Sequence, residues 1–485
     1  MMWLTSVLAC PLVGMGLVLC LPRRSVRAIR AVALASTTAA LLLTLRILSV
    51  FQPHATTVQF QERLLWIPPL NVFYHLGLDG INLPMVLLTA LLGVLACLSS
   101  WSITERHKEY FVLYLLLEVG MLGTFLALDL FLFYIFWEVV LVPMYFLIGI
   151  WGGGRREYSA FKFFVYTLAG SLAMLLSILA LFLRAHTFDM LALAQMGHTF
   201  ELTFQRLLFA GFFLGFAVKV PIVPFHTWLP DAHVDAPTPG SVLLAGVLLK
   251  MGAYGFFRIA YPICPEAAQG AGALMAALGM INIVYGAFVA LAQTDFKRLV
   301  AYSSISHMGF VLLGLASLTP EGVNGAMLQM FNHGVITGGM FLLVGALYDR
   351  THTRDLEAFG GLGARVPVYA GLLTVFSLAS LGLPGLSGFV SEFLSLLGAF
   401  GVWRWQTVVS VAGIVVAAAY MLKVIRHILL GPLNERWRAL TDVSAREVWS
   451  LAPLLLLIVA IGLYPLPMLQ LQDEALRQLI AHVTR

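Results

Sequence analysis

Apolar runs long enough to cross a lipid bilayer recur along almost the whole chain, and this recurrence restricts its fold more than any other feature. A crossing helix needs about 20 predominantly apolar residues. About fourteen runs qualify, roughly at 2–21, 31–51, 81–102, 111–128, 130–151, 160–183, 207–228, 238–257, 268–291, 298–317, 324–347, 368–398, 405–425 and 448–466. They are continuous, and far longer than the alternating ~10-residue segments of a membrane barrel, so helices are predicted. The first run lacks a basic leader and an A-x-A-like cleavage site and reads as a membrane helix, not a signal peptide. The predicted fold class is an all-α polytopic membrane protein forming one integral membrane domain over residues 1–485.

Composition excludes the main alternatives. Of 485 residues, 60% are apolar and 11% charged, with mean hydropathy +0.90; soluble domains carry ~25% charged residues. Too little charge remains to cover water-facing surfaces, which argues against a soluble enzyme, a nucleic-acid binder and a disordered chain. The four cysteines, Cys10, Cys20, Cys97 and Cys264, show no CxxC or Cys/His spacing, so no metal site, iron–sulfur cluster or disulfide framework is expected. No strand-borne GxGxxG and no phosphate-binding loop is present, so no cofactor is expected in this chain.

The cations test the map of helices. With fourteen crossings, loops and helix ends on one side hold 19 of the 29 Lys and Arg residues and the other side 8. Basic loops stay in the cytoplasm, which predicts a bacterial inner-membrane protein with both termini periplasmic. The two remaining cations, Lys219 and Lys250, fall inside predicted helices.

They have company. At ~1.5 Å per residue, Glu138 lies ~13 Å past Asp129, Lys219 ~18 Å past Leu207 and Lys250 ~13 Å past Ser241. His307, His333 and Glu118 reach similar depths, and Glu392 follows a Pro/Gly break. Burying an ionisable group at a helix centre costs ~2.5–3.5 kcal/mol on insertion scales. A lone His can be a packing residue and a lone Lys–Glu pair a structural bridge. Seven such groups on seven helices near one depth read as a proton relay across the membrane interior. Glu118 is the outlying member.

Two helices are broken. Pro221 and Pro224 follow Lys219, and Leu383-Pro384-Gly385-Leu386-Ser387-Gly388 precedes Glu392. Proline removes a helical hydrogen bond, and freed backbone groups at membrane depth line protein or water. The breaks fall in the seventh and twelfth helices. That spacing predicts two five-helix units, helices 4–8 and 9–13, the second inverted, a recurrent transporter plan. The chain then divides into residues 1–110 (helices 1–3), 111–257 (first unit), 266–425 (second unit) and 426–485 (a loop and the last helix).

The stretch Phe136-Trp137-Glu138-Val139-Val140-Leu141-Val142-Pro143-Met144 resembles the fifth-helix motif of the antiporter-like proton-translocating subunits of respiratory complex I. So do Lys219-Val220-Pro221, His226-Thr227-Trp228-Leu229-Pro230-Asp231-Ala232-His233, Ala236-Pro237-Thr238-Pro239-Gly240-Ser241 and Ser303-Ser304-Ile305-Ser306-His307-Met308-Gly309. The likeness runs from about residue 70 to the last helix. Among the three related subunit types it is similar to the M type, because the twelfth helix carries Glu392 and the chain stops soon after the fourteenth. The resemblance implies a translocase subunit of NADH–quinone oxidoreductase, with flavin (FMN), iron–sulfur clusters and quinone in other subunits. It implies the L- and N-type subunits as neighbours, and lipid and protons, not nucleic acid, as partners. Glu138 and Lys219 would form a switchable pair; Lys250 and His307 would pass the proton laterally with help from His333, and Glu392 would be the last acceptor. His226 and His233 flank a turn at the cytoplasmic end, as proton-uptake groups or as turn supports. Asp295, Lys297 and Arg298 are read as an interface loop. The same motifs occur in Mrp-type cation/proton antiporter subunits and in membrane subunits of energy-converting hydrogenases, which form the alternative.

Overall fold

The computed structural model describes residues 2–485. Thirteen helices among them are long and apolar enough to cross a membrane. In order they are α1 (Trp3–Cys20), α2 (Val26–Val50), α3 (Leu83–Ser102), α4 (His107–Leu126), α5 (Leu130–Trp151), α6 (Arg156–Ala185), α7a (Leu202–Lys219), α8 (Thr238–Ile263), α9 (Gly272–Leu291), α10 (Phe296–Ala316), α11 (Pro320–Thr351), α13 (Arg404–Leu429) and α14 (Ala445–Leu463). A short α7b (Trp228–Asp235) follows α7a. Two shorter apolar helices, α12a (Pro367–Ser380) and α12b (Ser387–Phe400), lie between α11 and α13. The run at 368–398 is therefore two helices in place of one.

Burial sorts these helices into centre and rim. The apolar windows of α8 and α11 are wholly enclosed and that of α10 nearly so, whereas about a third or less of α1, α2, α13 and α14 is covered. The rim exposes large apolar side chains such as Leu42, Val415 and Leu456. In water that surface would be a liability; in hydrocarbon it is the solvent-matched face.

Each break is repaired by a neighbour. After Lys219 the two prolines end α7a, and residues 220–227 are non-helical. Asn282 of α9 accepts from Val223 N at 2.9 Å and donates to Pro221 O at 3.2 Å, while the Trp228 indole donates to Val218 O at 2.9 Å. Between α12a and α12b, Gly382 and Gly385 take φ of +81° and +91°, a region that glycine enters without strain. Asn332 of α11 donates to Ser387 O at 2.8 Å there. Within α8, Leu244–Leu248 and Phe256–Ala260 are wound as π-helix, a rare form concentrated at functional sites.

Three features were not expected from the sequence. A two-stranded antiparallel hairpin, β1 (Gln59–Ile67) and β2 (Val72–Leu78), joins α2 to α3. Its Glu62 accepts from Leu4 N at 2.7 Å and Thr5 N at 3.0 Å, satisfying the free amides that begin α1. A terminal helix, α15 (Leu466–Val483), buries Gln472, Leu476, Leu479 and Val483, one stripe of an amphipathic helix. Finally, Asp129 bridges Asp189, and Asp295 bridges Asp355, each pair antiparallel. In the first bridge Leu130 N donates to Phe188 O and Met190 N to Leu128 O; in the second Phe296 N donates to Arg354 O and Leu356 N to Thr294 O. The register is the same, and the same sequence distance separates Asp129 from Asp295 as Asp189 from Asp355.

Replacing Asn282 by alanine strands two backbone groups, and the buried Pro221 carbonyl alone costs about 1–3 kcal/mol. The thermal midpoint of the purified Asn282→Ala protein is expected to fall; an unchanged midpoint would show that the break is held some other way.

Candidate functional site: a chain of buried charges

Lys250 sits on α8 just after the first π-helical segment and is fully buried. Its Nζ donates to Ala245 O, a carbonyl of that segment, at 2.5 Å and lies 2.5 Å from His333 Nδ1 on α11. An ammonium can only donate, so when Lys250 is charged His333 Nδ1 accepts. The His333 proton then sits on Nε2, an atom with no partner among the described residues. The ring of His307, on α10, has its centroid 5.7 Å from that of His333.

From His307 the contacts continue unbroken. Nδ1 lies 2.7 Å from Glu392 Oε1 on α12b, and Nε2 lies 3.2 Å from Ser380 Oγ, with the Tyr420 hydroxyl 3.4 Å away. Glu392 also accepts from Gln329 Nε2 at 3.1 Å, and Gln329 Oε1 accepts from Ser391 Oγ. The other carboxylate oxygen lies against Gly382, close enough that a Cβ there would be in ordinary contact with it. A small cavity lined by His307, His333, Gln329, Ser380 and Glu392 occupies the gap between the two rings. Ile336, Ala379 and Gly388 complete a mostly apolar wall, and the volume is about that of a single water.

Lys219 ends α7a, buried, and its Nζ has no hydrogen-bond partner among the described residues. The ammonium stands over the Trp137 ring, 4.9 Å from its centroid, a cation–π contact. Glu138 is the neighbouring carboxylate. The two form no closed ion pair, and Glu138 Oε1 has no partner either. Gly252 of α8 lets α7a approach: a Cβ there would meet Lys219 Cβ at 2.8 Å. The backbone two residues beyond Lys250 therefore touches the residue that carries the free ammonium.

The structure thus joins Lys250 to His333 and His307 to Glu392 by direct polar contacts, sets the two histidine rings side by side with 5.7 Å between centroids, and leaves Glu138 and Lys219 as an open pair. Glu118 stands apart. It is buried against Gly93 of α3, with both oxygens unpartnered. His226 lies in the α7 break with its ring centroid 5.2 Å from that of Tyr285, and His233 is fully buried on α7b. The interface-loop reading is corrected for Lys297: it is buried and donates to Ala236 O at 2.6 Å, at the end of α7b. Asp295 caps α10 by accepting from Arg298 N. Sequence reasoning missed Gln329, Ser380, Tyr420 and Trp137. Gln329 was detectable, since a polar residue one helical turn from His333 shares its face. The π-helical turn under Lys250 has no sequence signal. Among the described residues no three His, Cys, Asp or Glu side chains cluster as metal ligands.

A many-helix membrane fold with broken helices and a line of buried ionisable side chains is that of an antiporter-like membrane subunit. Residues 127–418 match the family model described as NADH:quinone oxidoreductase/Mrp antiporter, transmembrane. NADH-quinone oxidoreductase subunit M of Rhodobacter capsulatus is 46% identical over 446 residues, 90% of this chain and 87% of that one. The subunit M of Rickettsia conorii is 43% identical over 451 residues, covering 93% and 92%. A chain of respiratory complex I from Thermus thermophilus with bound NADH superposes with TM-score 0.89 at 34% identity, over 99% of this chain and 100% of that one. The chain belongs to the NADH:quinone oxidoreductase/Mrp antiporter membrane family, among the subunit M proteins.

His307 and Glu392 are one coupled pair in this geometry. In a double-mutant cycle of His307→Ala and Glu392→Ala, stability effects are expected to be non-additive by about 0.5–3 kcal/mol. Additive effects would mean that the 2.7 Å contact contributes nothing.

Proposed function

We infer that the chain is a proton-translocating, antiporter-like membrane subunit of an NADH-quinone oxidoreductase, and that its row of buried charges is the proton path. The observation carrying the second part is the succession of the Lys250–His333 and His307–Glu392 contacts, with the two histidine rings as neighbours, across α8, α11, α10 and α12b. The chain is a subunit of a translocase, and the redox chemistry belongs elsewhere in the assembly: FMN, the iron–sulfur clusters and quinone are assigned to other subunits.

Glu138 and Lys219 act as the switch. A carboxylate approaching an ammonium stabilises the charged form of both, and a carboxylate withdrawn exposes the ammonium to its low-dielectric surroundings. The observed open arrangement, with Trp137 against Lys219, is one of the two settings. Closing and opening the pair changes which neighbours hold protons, and a displacement in an adjacent subunit reaches the relay in this way. Lys250 takes the proton, the two histidines and the water between them move it laterally, and Glu392 delivers it. Glu118, His226 and His233 are secondary members.

The architecture is read as fourteen crossings, with α12a and α12b together making one. Units α4–α8 and α9–α13 are read as inverted repeats, and residues 1–110 and 426–485 flank them. The two matching aspartate bridges support this. They connect the starts of α5 and α10 to the segments after α6 and α11, corresponding places in the two units. An odd number of helices per unit puts them on opposite faces. We place the basic-loop face in the cytoplasm and both termini in the periplasm, in a bacterial inner membrane, on the 19-to-8 distribution of cations. The L- and N-type subunits are the neighbours this reading assigns.

In purified complex reconstituted into liposomes, Lys219→Met and Glu138→Gln are each expected to lower NADH-driven proton pumping, with assembly checked on native gels. Full pumping by either variant in an assembled complex would reject the switch.

A further inference from the structure

Lys219 has a neighbour besides Glu138 that can hold its charge. Its Nζ is buried, has no hydrogen bond among the described residues, and stands 4.9 Å from the centroid of the Trp137 ring. An ammonium inside a membrane bundle with no acceptor is costly. The face of an aromatic ring carries the negative end of its quadrupole, and an indole attracts a cation more strongly than a phenol or a benzene ring. The Trp137 face therefore stands in for the water or carboxylate that the ammonium lacks.

The ring is fixed in that place. Trp137 is fully buried, and Phe133, one turn earlier on α5, packs against it with 5.5 Å between centroids. Phe216 of α7a meets it at 5.8 Å and 62°. Phe216 lies three residues before Lys219, so the two side chains approach Trp137 from one face of α7a. Phe256 of α8 holds Phe216 in turn, 5.3 Å away and 74° from parallel.

Trp137 and Glu138 are consecutive on α5, and the helix is loose just beyond them. Val140 N reaches Phe136 O at 3.3 Å and Met144 N reaches Val140 O at 3.4 Å, both longer than an ordinary helical hydrogen bond. Pro143 has no N–H to give to Val139 O. Against this hinge α4 presents bare backbone: a Cβ on Gly120 would meet Val140 Cγ2 at 2.8 Å, and one on Gly123 would strike the Phe136 ring. A small turn of α5, or a swing of the flexible Lys219 stem, exchanges the ring for the carboxylate.

We propose that Trp137 is a positioning residue of the switch, whose face holds the Lys219 ammonium while Glu138 is withdrawn and gives it up when the pair closes. The exchange is one of contacts alone: no covalent bond changes and Lys219 keeps its proton through it. Removing the ring takes this contact from the open setting, and the open-to-closed ratio falls by roughly tenfold. This proposal rests on the reading of Glu138 and Lys219 as a switch.

The test places a series of tryptophans bearing increasing numbers of ring fluorines at position 137 alone, in the assembled complex in liposomes. Fluorine drains negative charge from the ring face and leaves its shape almost unchanged, so a side chain needed only for packing would not register the series. NADH-driven pumping is expected to fall stepwise along it, and to fall further in Trp137→Leu than in Trp137→Phe. The fluorinated series decides the matter if Trp137→Leu fails to assemble. Equal pumping across the series, or full pumping by assembled Trp137→Leu, would overturn the proposal. If the fluorinated complexes pump fully while Lys219→Met does not, the role of the ring alone falls; if Lys219→Met pumps as well, the switch reading falls with it.

Discussion

The cost of holding charge away from water governs this structure. An ionisable side chain inside the helix bundle is costly without a partner, a polar wall or a water, because hydrocarbon offers none. The protein treats its buried charges in two ways. Lys250, His307 and Glu392 are paired with one another's neighbours across four helices. Lys219 is left without a hydrogen bond, held against the face of Trp137. The first arrangement satisfies its charges by mutual contacts; the second leaves an ammonium unsatisfied, the free group that the proposed switch requires.

The irregular backbone belongs to the same economy. A regular α-helix offers no free carbonyl at membrane depth. The π-helical turn at Leu244–Leu248 supplies Ala245 O to Lys250, and the break between α12a and α12b brings Ser380 and Glu392 to opposite sides of His307. Asn282 and Asn332 then satisfy the backbone that the breaks set free. Buried charges, breaks and supporting amides form one construction, so a substitution at Asn282 or Asn332 is expected to act on the proposed path as well as on the fold.

Much of this was legible in sequence because membrane insertion leaves so few options. Apolar length marked the helices, and a charged residue in such a run marks itself, as Lys219, Lys250 and Glu392 did. The Pro221–Pro224 and Pro384–Gly385 breaks were equally visible, since proline has one backbone consequence wherever it falls. What escaped depends on contacts distant in sequence. The hairpin carries only a blurred alternation, because its apolar Leu64, Leu65 and Trp66 are exposed in succession. The burial of Lys297 depends on where α7b ends, which no local pattern records. Which of the seven charges touch, and that Glu118 stays apart against Gly93, required the packing of α3, α4, α8, α10 and α11.

The central claim is that a proton occupies His307 and Glu392 in turn during catalysis. Infrared difference spectroscopy of the complex, recorded between its resting state and turnover with NADH, reads carboxyl protonation directly. The account predicts a carboxyl C=O band that changes on turnover, vanishes in Glu392→Gln and is perturbed in His307→Ala. A turnover spectrum whose carboxyl region is the same in the wild-type complex and in assembled Glu392→Gln would contradict it.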